Sequence, residues 1–217
     1  MLIKRGAEAN LHLEDWHGRK VIMKRRLSKK YRVSKLDKEI RSHRTLREPQ
    51  HIHRAKEAGV PTPTILMVDT TDATIVMEFI EGKQVKQILD DLPSKEKQDL
   101  CRHIGKLIGR LHNHGIIHSD LTTSNMILTP HGRVVFVDFG LSERSKELEA
   151  RGVDLHLMKR AFQSTHFKYA RDCFAAVVEG YSQIIGDSET REVLNKIGEI
   201  ERRGRYVSER SQPAKNA

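Results

Sequence analysis

The chain has 217 residues, a formal net charge of +10, 37% hydrophobic residues and 31% Lys, Arg, Asp and Glu, a balance that suits a soluble globular protein with one core or two lobes sharing a cleft. Its longest apolar runs, such as Ile75–Met77 and Val134–Val137, are far too short to span a bilayer, and MLIKRGAEAN lacks the apolar stretch of a secretory signal. Cys101 and Cys173 give no disulfide framework and read as small buried side chains in a reducing compartment, so a cytoplasmic protein without membrane contact is expected.

In chain order, residues 2–5 and 20–24 read as short strands, with Gly6 and Gly18 marking turns. Leu36 to Ala58 turns helical and stops before Pro61-x-Pro63; Pro49 inside it is expected to kink the helix or open its second part. Ile65–Val68 and Thr74–Ile80 look like two strands joined at Asp69–Ala73. Lys83–Leu89 and Ser94–His114 read as helices, the second capped by Ser94 and faced by Ile104, Leu107, Ile108 and Leu111. Met126–Leu128 and Arg133–Val137 are strands around the turn Thr129–Gly132, and helices follow over roughly 152–164, 167–184 and 188–202. This order predicts an α+β, bilobal arrangement: a strand-rich N-lobe over 1–80, a small helical C-lobe over 81–205 and a mobile tail over 206–217.

The positive charge is concentrated. Residues 1–60 hold 17 Lys/Arg against 7 Asp/Glu, and Arg19 to Lys35 has nine basic residues and no acidic one. Such a patch draws polyanions, RNA among them; a solvated face, or counter-charge for nucleotide phosphates or an acidic partner, reads equally from charge. With one Trp and four Tyr, phosphate contact would outweigh base stacking. The last segment, Glu201-Arg202-Arg203-Gly204-Arg205-Tyr206, is again basic.

The sharpest signal is Ile117-His118-Ser119-Asp120-Leu121-Thr122-Thr123-Ser124-Asn125, followed by Val137-Asp138-Phe139-Gly140. In the catalytic loop H-R-D-L-x-x-x-N followed by D-F-G, one carboxylate orients the attacking hydroxyl or water, while an amide and a second carboxylate hold Mg2+ on the phosphates of ATP. Here Asp120 takes the first role and Asn125 and Asp138 the metal. Magnesium keeps several waters, so two protein ligands plus phosphate oxygens suffice.

Lys24 ends the apolar strand Val21-Ile22-Met23-Lys24, as in V-A-I-K, and its acid partner is Glu48 rather than Glu39, although Pro49 biases Glu48 away from helical geometry. The phosphate loop Gly6-Ala7-Glu8-Ala9 has a single glycine; Glu8 there reads as a contact to metal or to a partner residue, or as solvated. Met77-Glu78-Phe79-Ile80 is the hinge, with backbone groups of Glu78 and Ile80 on adenine and Met77 behind it. His118 reads as packed or backbone-anchoring. The segment from Leu141 to Asp154 is too short to dock an extended peptide, and Ser142 and Ser145 suit turn or cap roles better than phosphorylation.

Together these segments resemble a known family, the small atypical serine/threonine kinase and ATPase of the KEOPS (EKC) complex, which helps make threonylcarbamoyladenosine in tRNA. The resemblance spans most of the chain and is most specific at Asp120–Asn125 (Asp-Leu-Thr-Thr-Ser-Asn), Ser164-Thr165-His166 and Arg203-Gly204-Arg205, with Val153-Asp154-Leu155 among the other matching segments. It implies a reduced protein-kinase-like fold, autophosphorylation in isolation, and ATPase activity within the complex. It also implies two partners, the threonylcarbamoyl-transferring subunit at the C-lobe and a small regulatory subunit at the N-lobe. Lys24 would anchor phosphate, Glu48 would pair with it, and Arg25, Arg26, Lys29, Lys30, Arg32, Arg203 and Arg205 are candidates for RNA or partner contact. The sequence departs from the family at Ser119, where glycine is usual, at Pro49, and after Arg205, where Tyr206-Val207-Ser208 replace further basic residues. A catalytically idle scaffold that binds tRNA and partner subunits is the alternative, and the intact Lys24, Asp120, Asn125 and Asp138 argue against it.

Overall fold

The computed structural model describes residues 1–6 and 8–210, the side chains of Lys4 and of 204–210 apart. Ala7, the tail from 211 and the Arg205 side chain therefore lie outside the described residues. Two compact units emerge: residues 1–88 with 124–143, and residues 89–123 with the chain from 144 onward. The first is strand-rich and the second helical, the α+β division expected from the sequence.

The first unit is built on a five-stranded antiparallel sheet in the order β1-β2-β3-β5-β4, from Leu2–Arg5 (β1), Ala9–Trp16 (β2), Arg19–Arg26 (β3), Ile65–Asp69 (β4) and Thr74–Glu78 (β5). β3 is the middle strand, β5 beside it is buried from Thr74 to Met77, and Val21, Ile75 and Val76 are fully enclosed. The sequence reading names no strand at β2, whose ANLHLEDW carries too many polar residues for an apolar-run signal. It forms because all eight of its residues pair with β3, from Ala9↔Arg26 to Trp16↔Arg19. Helix α1, Ser34–Glu57, crosses this unit.

Pro49 neither ends nor divides α1, contrary to the expectation. A proline here removes one donor and crowds the preceding turn. The unit also holds a small sheet in which Lys83–Gln84 (β6), Met126–Leu128 (β8) and Val134–Phe136 (β9) lie in the order β6-β8-β9. Lys83–Leu89 is thus not one helix. Lys83 and Gln84 pair with Leu128 and Ile127, and only Val85–Ile88 (α2) and a 3-10 turn at Leu89–Asp91 follow.

In the second unit Ser94–Asn113 (α3) buries Ile104, Leu107, Ile108 and Leu111, the stripe read from the sequence. It packs on Ala170–Ile185 (α5) at very close range: a Cβ on Gly105 would meet the Val177 carbonyl oxygen, and one on Gly180 the Arg102 carbonyl oxygen. Cys101 and Cys173 are both free and buried, as expected. Ser94 is the first helical residue and makes no cap bond. Lys97 instead holds this corner, buried with its ammonium 3.0 Å from the centre of the Tyr169 ring and donating to the Asp90 carbonyl at 3.2 Å. The short strand Ile116–Ile117 (β7), Leu148–Thr165 (α4) and Asp187–Arg210 (α6) complete the unit. No helix of the described residues is long and apolar enough to cross a membrane.

Candidate functional site

In the first unit the structure assembles the charged set that the sequence spreads over 114 positions. β3 carries Lys24 beneath α1, and its ammonium donates at 2.7 Å to Glu48 Oε1 and at 2.7 Å to Asp138 Oδ1. Burial acts to lower the Lys24 pKa, but the Glu48 and Asp138 carboxylates outweigh it and hold it above the ordinary lysine value. Lys24 is therefore a fixed cation at any physiological pH. Glu39 is exposed, so Glu48 is the partner, and Pro49 does not prevent the pairing.

Glu48 serves a second cation. Its Oε2 accepts from Arg26 Nη2 at 2.6 Å, and Arg26 is only 5% exposed. Its charge groups Arg26 with the basic patch, but a residue one position from Arg25 on a strand faces the opposite side of the sheet, here into the interior. It is not on the RNA-accessible face. Arg26 also approaches Glu8 at 3.9 Å, and Arg44 of α1 bonds the same Glu8 oxygen. The Arg44 hydrogen bond is the chief reason that the Glu8 carboxyl lies below its usual pKa, with burial opposing it. Of the readings open for Glu8, the structure shows a contact to partner residues: it ties the single-glycine loop, closed by Gly6 N–H on the Ala9 carbonyl at 2.9 Å, to α1.

Asp138 and Asn125 are joined through the backbone. Met126 pairs with Phe136 in the β8–β9 register, and the Val137 N–H donates to the Asn125 carbonyl at 2.9 Å. Asn125 is buried, whereas the Asp138 side chain is 44% exposed. Asp138 has φ +64°, a left-handed conformation that aspartate tolerates better than most residues. Gly140 sits close under the ion-pair cluster. A Cβ there would stand 3.2 Å from Asp138 Oδ1, 3.4 Å from Arg26 Nη2 and 3.5 Å from Glu48 Oε2. At the hinge Met77 and Ile80 are buried, and the Glu78 N–H donates to the Thr64 carbonyl at 2.8 Å.

Asp120 lies on the second unit, in a loop held by a residue to which the sequence reading gives no role. Asp154 of α4 is fully buried. Its Oδ2 accepts from the His118 N–H at 2.8 Å, and its Oδ1 accepts from the Ser119 N–H at 2.8 Å. His112 Nε2 also meets Asp154 Oδ2 at 3.1 Å, while its Nδ1 meets the Tyr181 hydroxyl at 2.9 Å. The signal was available: Asp154 falls on the stripe of Met158 and Phe162, and a carboxylate on an apolar stripe needs buried partners. His118 is buried and anchored through its backbone, as expected. Ser119 has φ +63°, which explains glycine as the residue best suited there. Further along, Thr123 is tied to His166 and His166 to Asp90, contacts between residues 43 and 76 positions apart that no local pattern reveals.

Among the candidates for RNA or partner contact, Arg25 and Lys30 are exposed, and Lys29 and Arg32 half-buried. Arg32 lies 3.6 Å from Asp37, Arg25 3.4 Å from Asp72, and Arg203 2.6 Å from Glu149. Ser142 is buried, and Ser145 Oγ accepts the Glu147 N–H at 3.1 Å, a turn role. Among the described residues no group of three His, Cys, Asp or Glu side chains is placed to hold a metal ion.

Comparison with known proteins places this geometry. The protein kinase domain family matches residues 7–168. The KEOPS complex subunit Bud32 of Pyrococcus abyssi is 49% identical over 211 residues, covering 94% of this chain and 96% of that protein. A probable bifunctional tRNA threonylcarbamoyladenosine biosynthesis protein of Methanothermobacter thermautotrophicus is 45% identical over 95% of this chain, which spans 36% of that relative's length. The EKC/KEOPS complex subunit bud32 of Dictyostelium discoideum is 37% identical, with 94% of this chain and 82% of that protein covered. In fold alone, the chain is similar to a Rio2 kinase from Chaetomium thermophilum solved as an ADP/Mg2+-phosphoaspartate complex, with a TM-score of 0.58, 17% identity, and coverage of 95% of this chain and 70% of that one. The chain belongs to the protein kinase domain family and, within it, to the Bud32 family.

Proposed function

We propose that this chain is an ATP-dependent atypical serine/threonine kinase and ATPase, working as a subunit of the KEOPS complex in support of threonylcarbamoyladenosine modification of tRNA. The observation that carries this reading is Lys24, buried and bonded to both Glu48 and Asp138. Two carboxylates keep its cation in place, so it meets phosphate oxygens with little reorganisation.

We assign adenine to the hinge. The Glu78 N–H is committed to Thr64, so the Glu78 carbonyl and the Ile80 N–H are the groups offered to the base, and Met77 lines the pocket. Gly6 and Glu8 border the phosphates, in a loop held by ion pairs instead of glycines. Asn125 and Asp138 fit Mg2+: both present hard oxygens, and the Val137–Asn125 hydrogen bond keeps their backbones adjacent. When bound, Mg2+ neutralises charge on the phosphate oxygens of ATP. Asp120 orients the attacking hydroxyl or water and takes its proton, on a loop whose start Asp154 fixes. The short stretch between Gly140 and α4 favours water or the chain's own hydroxyls as acceptor.

We further assign the threonylcarbamoyl-transferring subunit to the helical lobe, the small regulatory subunit to the strand-rich lobe, tRNA to the exposed basic side chains, and the whole to the cytoplasm. These assignments rest on the family resemblance. Purified chain with Mg2+ and labelled ATP, set beside Asp138→Ala, tests the enzyme reading. Phosphate release and autophosphorylation that do not differ between the two, with and without the partner subunits, would leave an idle scaffold as the function.

A further inference from the structure

We propose that His166, oriented by Asp90, is a positioning residue that holds Thr123 and thereby sets the segment between Asp120 and Asn125. The proposal rests on the kinase reading of that segment. Thr123 Oγ1 stands 3.0 Å from His166 Nε2, and His166 Nδ1 stands 2.7 Å from Asp90 Oδ1. Thr123 and His166 are each 1% exposed, so neither polar group has water as a substitute. The ring nitrogen beside the carboxylate carries the proton and donates to Asp90, which leaves Nε2 as acceptor for the Thr123 hydroxyl.

The histidine is itself a rigid post. It closes the end of α4, where its N–H donates to the Phe162 carbonyl at 2.8 Å and its carbonyl accepts the Tyr169 N–H at 2.9 Å. Its ring lies against Phe162, with centroids 6.0 Å apart. Asp90 is steadied in turn by the Lys97 ammonium on its own carbonyl.

Thr123 opens the 3-10 turn Thr123–Asn125, two residues before the proposed metal ligand. The loop is therefore held at several points. Asp154 grips the backbone at His118 and Ser119, and His166 grips the side chain at Thr123. Asp120 lies between them. Without His166 the Thr123 side chain loses its hold, the stretch from Ser124 to Asn125 keeps bonds to its backbone, from Gln84 Nε2 to the Ser124 carbonyl at 3.0 Å and from the Val137 N–H to the Asn125 carbonyl at 2.9 Å, and small misplacements of catalytic groups are costly.

The test is a double-mutant cycle on the full chain: Thr123→Val, His166→Phe and the pair. Each is read by thermal unfolding, by the kcat and the Mg2+ requirement of ATP turnover, and by amide exchange over 118–125. Either single change leaves one buried polar atom without its partner, so it lowers Tm, reduces kcat by about tenfold or more, raises the Mg2+ requirement and speeds loop exchange. The pair removes both polar atoms, while Asp90, with its side chain 48% exposed, turns to water. Tm then recovers towards wild type, but kcat stays low and the loop stays fast, whereas Thr123→Ser restores loop protection. Recovery of kcat together with Tm in the pair, or single variants with wild-type exchange over 118–125, overturns the proposal. Asp138→Ala run in parallel separates the two ideas: turnover independent of Asp138 defeats the kinase reading, and loop exchange still decides whether His166 holds the loop.

Discussion

Replacing Glu48 by alanine should unfold this chain more readily than replacing Lys24, although both should abolish turnover. Glu48 is 1% exposed and is the common partner of Lys24 and Arg26, at 2.7 and 2.6 Å, which are themselves 6% and 5% exposed. Glu48→Ala leaves Arg26 with the Arg44 carbonyl at 3.5 Å and the 3.9 Å approach to half-exposed Glu8, and Lys24 with Asp138. Removing one partner of a buried pair costs about 3–5 kcal/mol, because the remaining charge is stranded. At about 2–4 °C per kcal/mol for a chain of this size, Tm falls by roughly 6–20 °C. Lys24→Met removes a cation instead. Arg26 stays on Glu48, and Asp138 is open enough to hydrate, so the loss is about 1–2 kcal/mol. Circular-dichroism melts of both variants, beside ATP turnover, check the ordering. Equal Tm losses in the two variants, or a loss under about 2 °C in Glu48→Ala, would refute the claim that Glu48 bears two buried cations.

Three further outcomes follow from the geometry. Gly140→Ala places a methyl against Asp138, Arg26 and Glu48 and should lower turnover about tenfold with a much smaller effect on Tm than Glu48→Ala; unchanged turnover counts against the packing argument. Ser119→Gly relieves a φ of +63° and should gain about 1 kcal/mol, or 2–4 °C in Tm; a drop in Tm would show that the hydroxymethyl makes contacts worth more than the strain. In acid, Glu8 and Asp37 set the limit. Their hydrogen bonds to Arg44 and Arg41 lower their pKa values below the ordinary 4.5 and 3.8. Their contribution is complete above those ordinary values and is lost as pH falls through the lowered ones. Lys24 has the opposite sign: its contribution holds below the ordinary 10.5 and is lost only above it. Tm measured against pH should therefore fall most steeply below about 4, with a shallower acid limb in Arg44→Met.

The candidate catalytic residues stood out in the sequence because phosphate chemistry demands particular residue types at particular spacings. Asp120, Asn125 and Asp138, and an apolar strand ending on Lys24, could be read one after another. What the sequence concealed was long-range compensation. Pro49 reads as a helix breaker, yet α1 runs through it from Ser34 to Glu57. Arg26 reads as part of a surface patch until the sheet turns it inward onto Glu48. β2 is too polar to announce itself and exists through its pairing with β3. Thr123, His166 and Asp90 form a chain of hydrogen bonds only because α4 and the turn after α2 bring together three distant segments. In each case a charge or a polar group looks solvated in one dimension and is satisfied in three.

The central claim is that Lys24, Asp120 and Asp138 carry out ATP chemistry. It is tested most directly by a single-turnover measurement with γ-labelled ATP and Mg2+, counting label released as phosphate and label retained on the chain. Lys24→Met and Asp120→Asn should each slow both products by about a hundredfold or more, with Asp120→Asn melting close to wild type. Wild-type rates in either variant, or label appearing equally fast without these side chains, would contradict it.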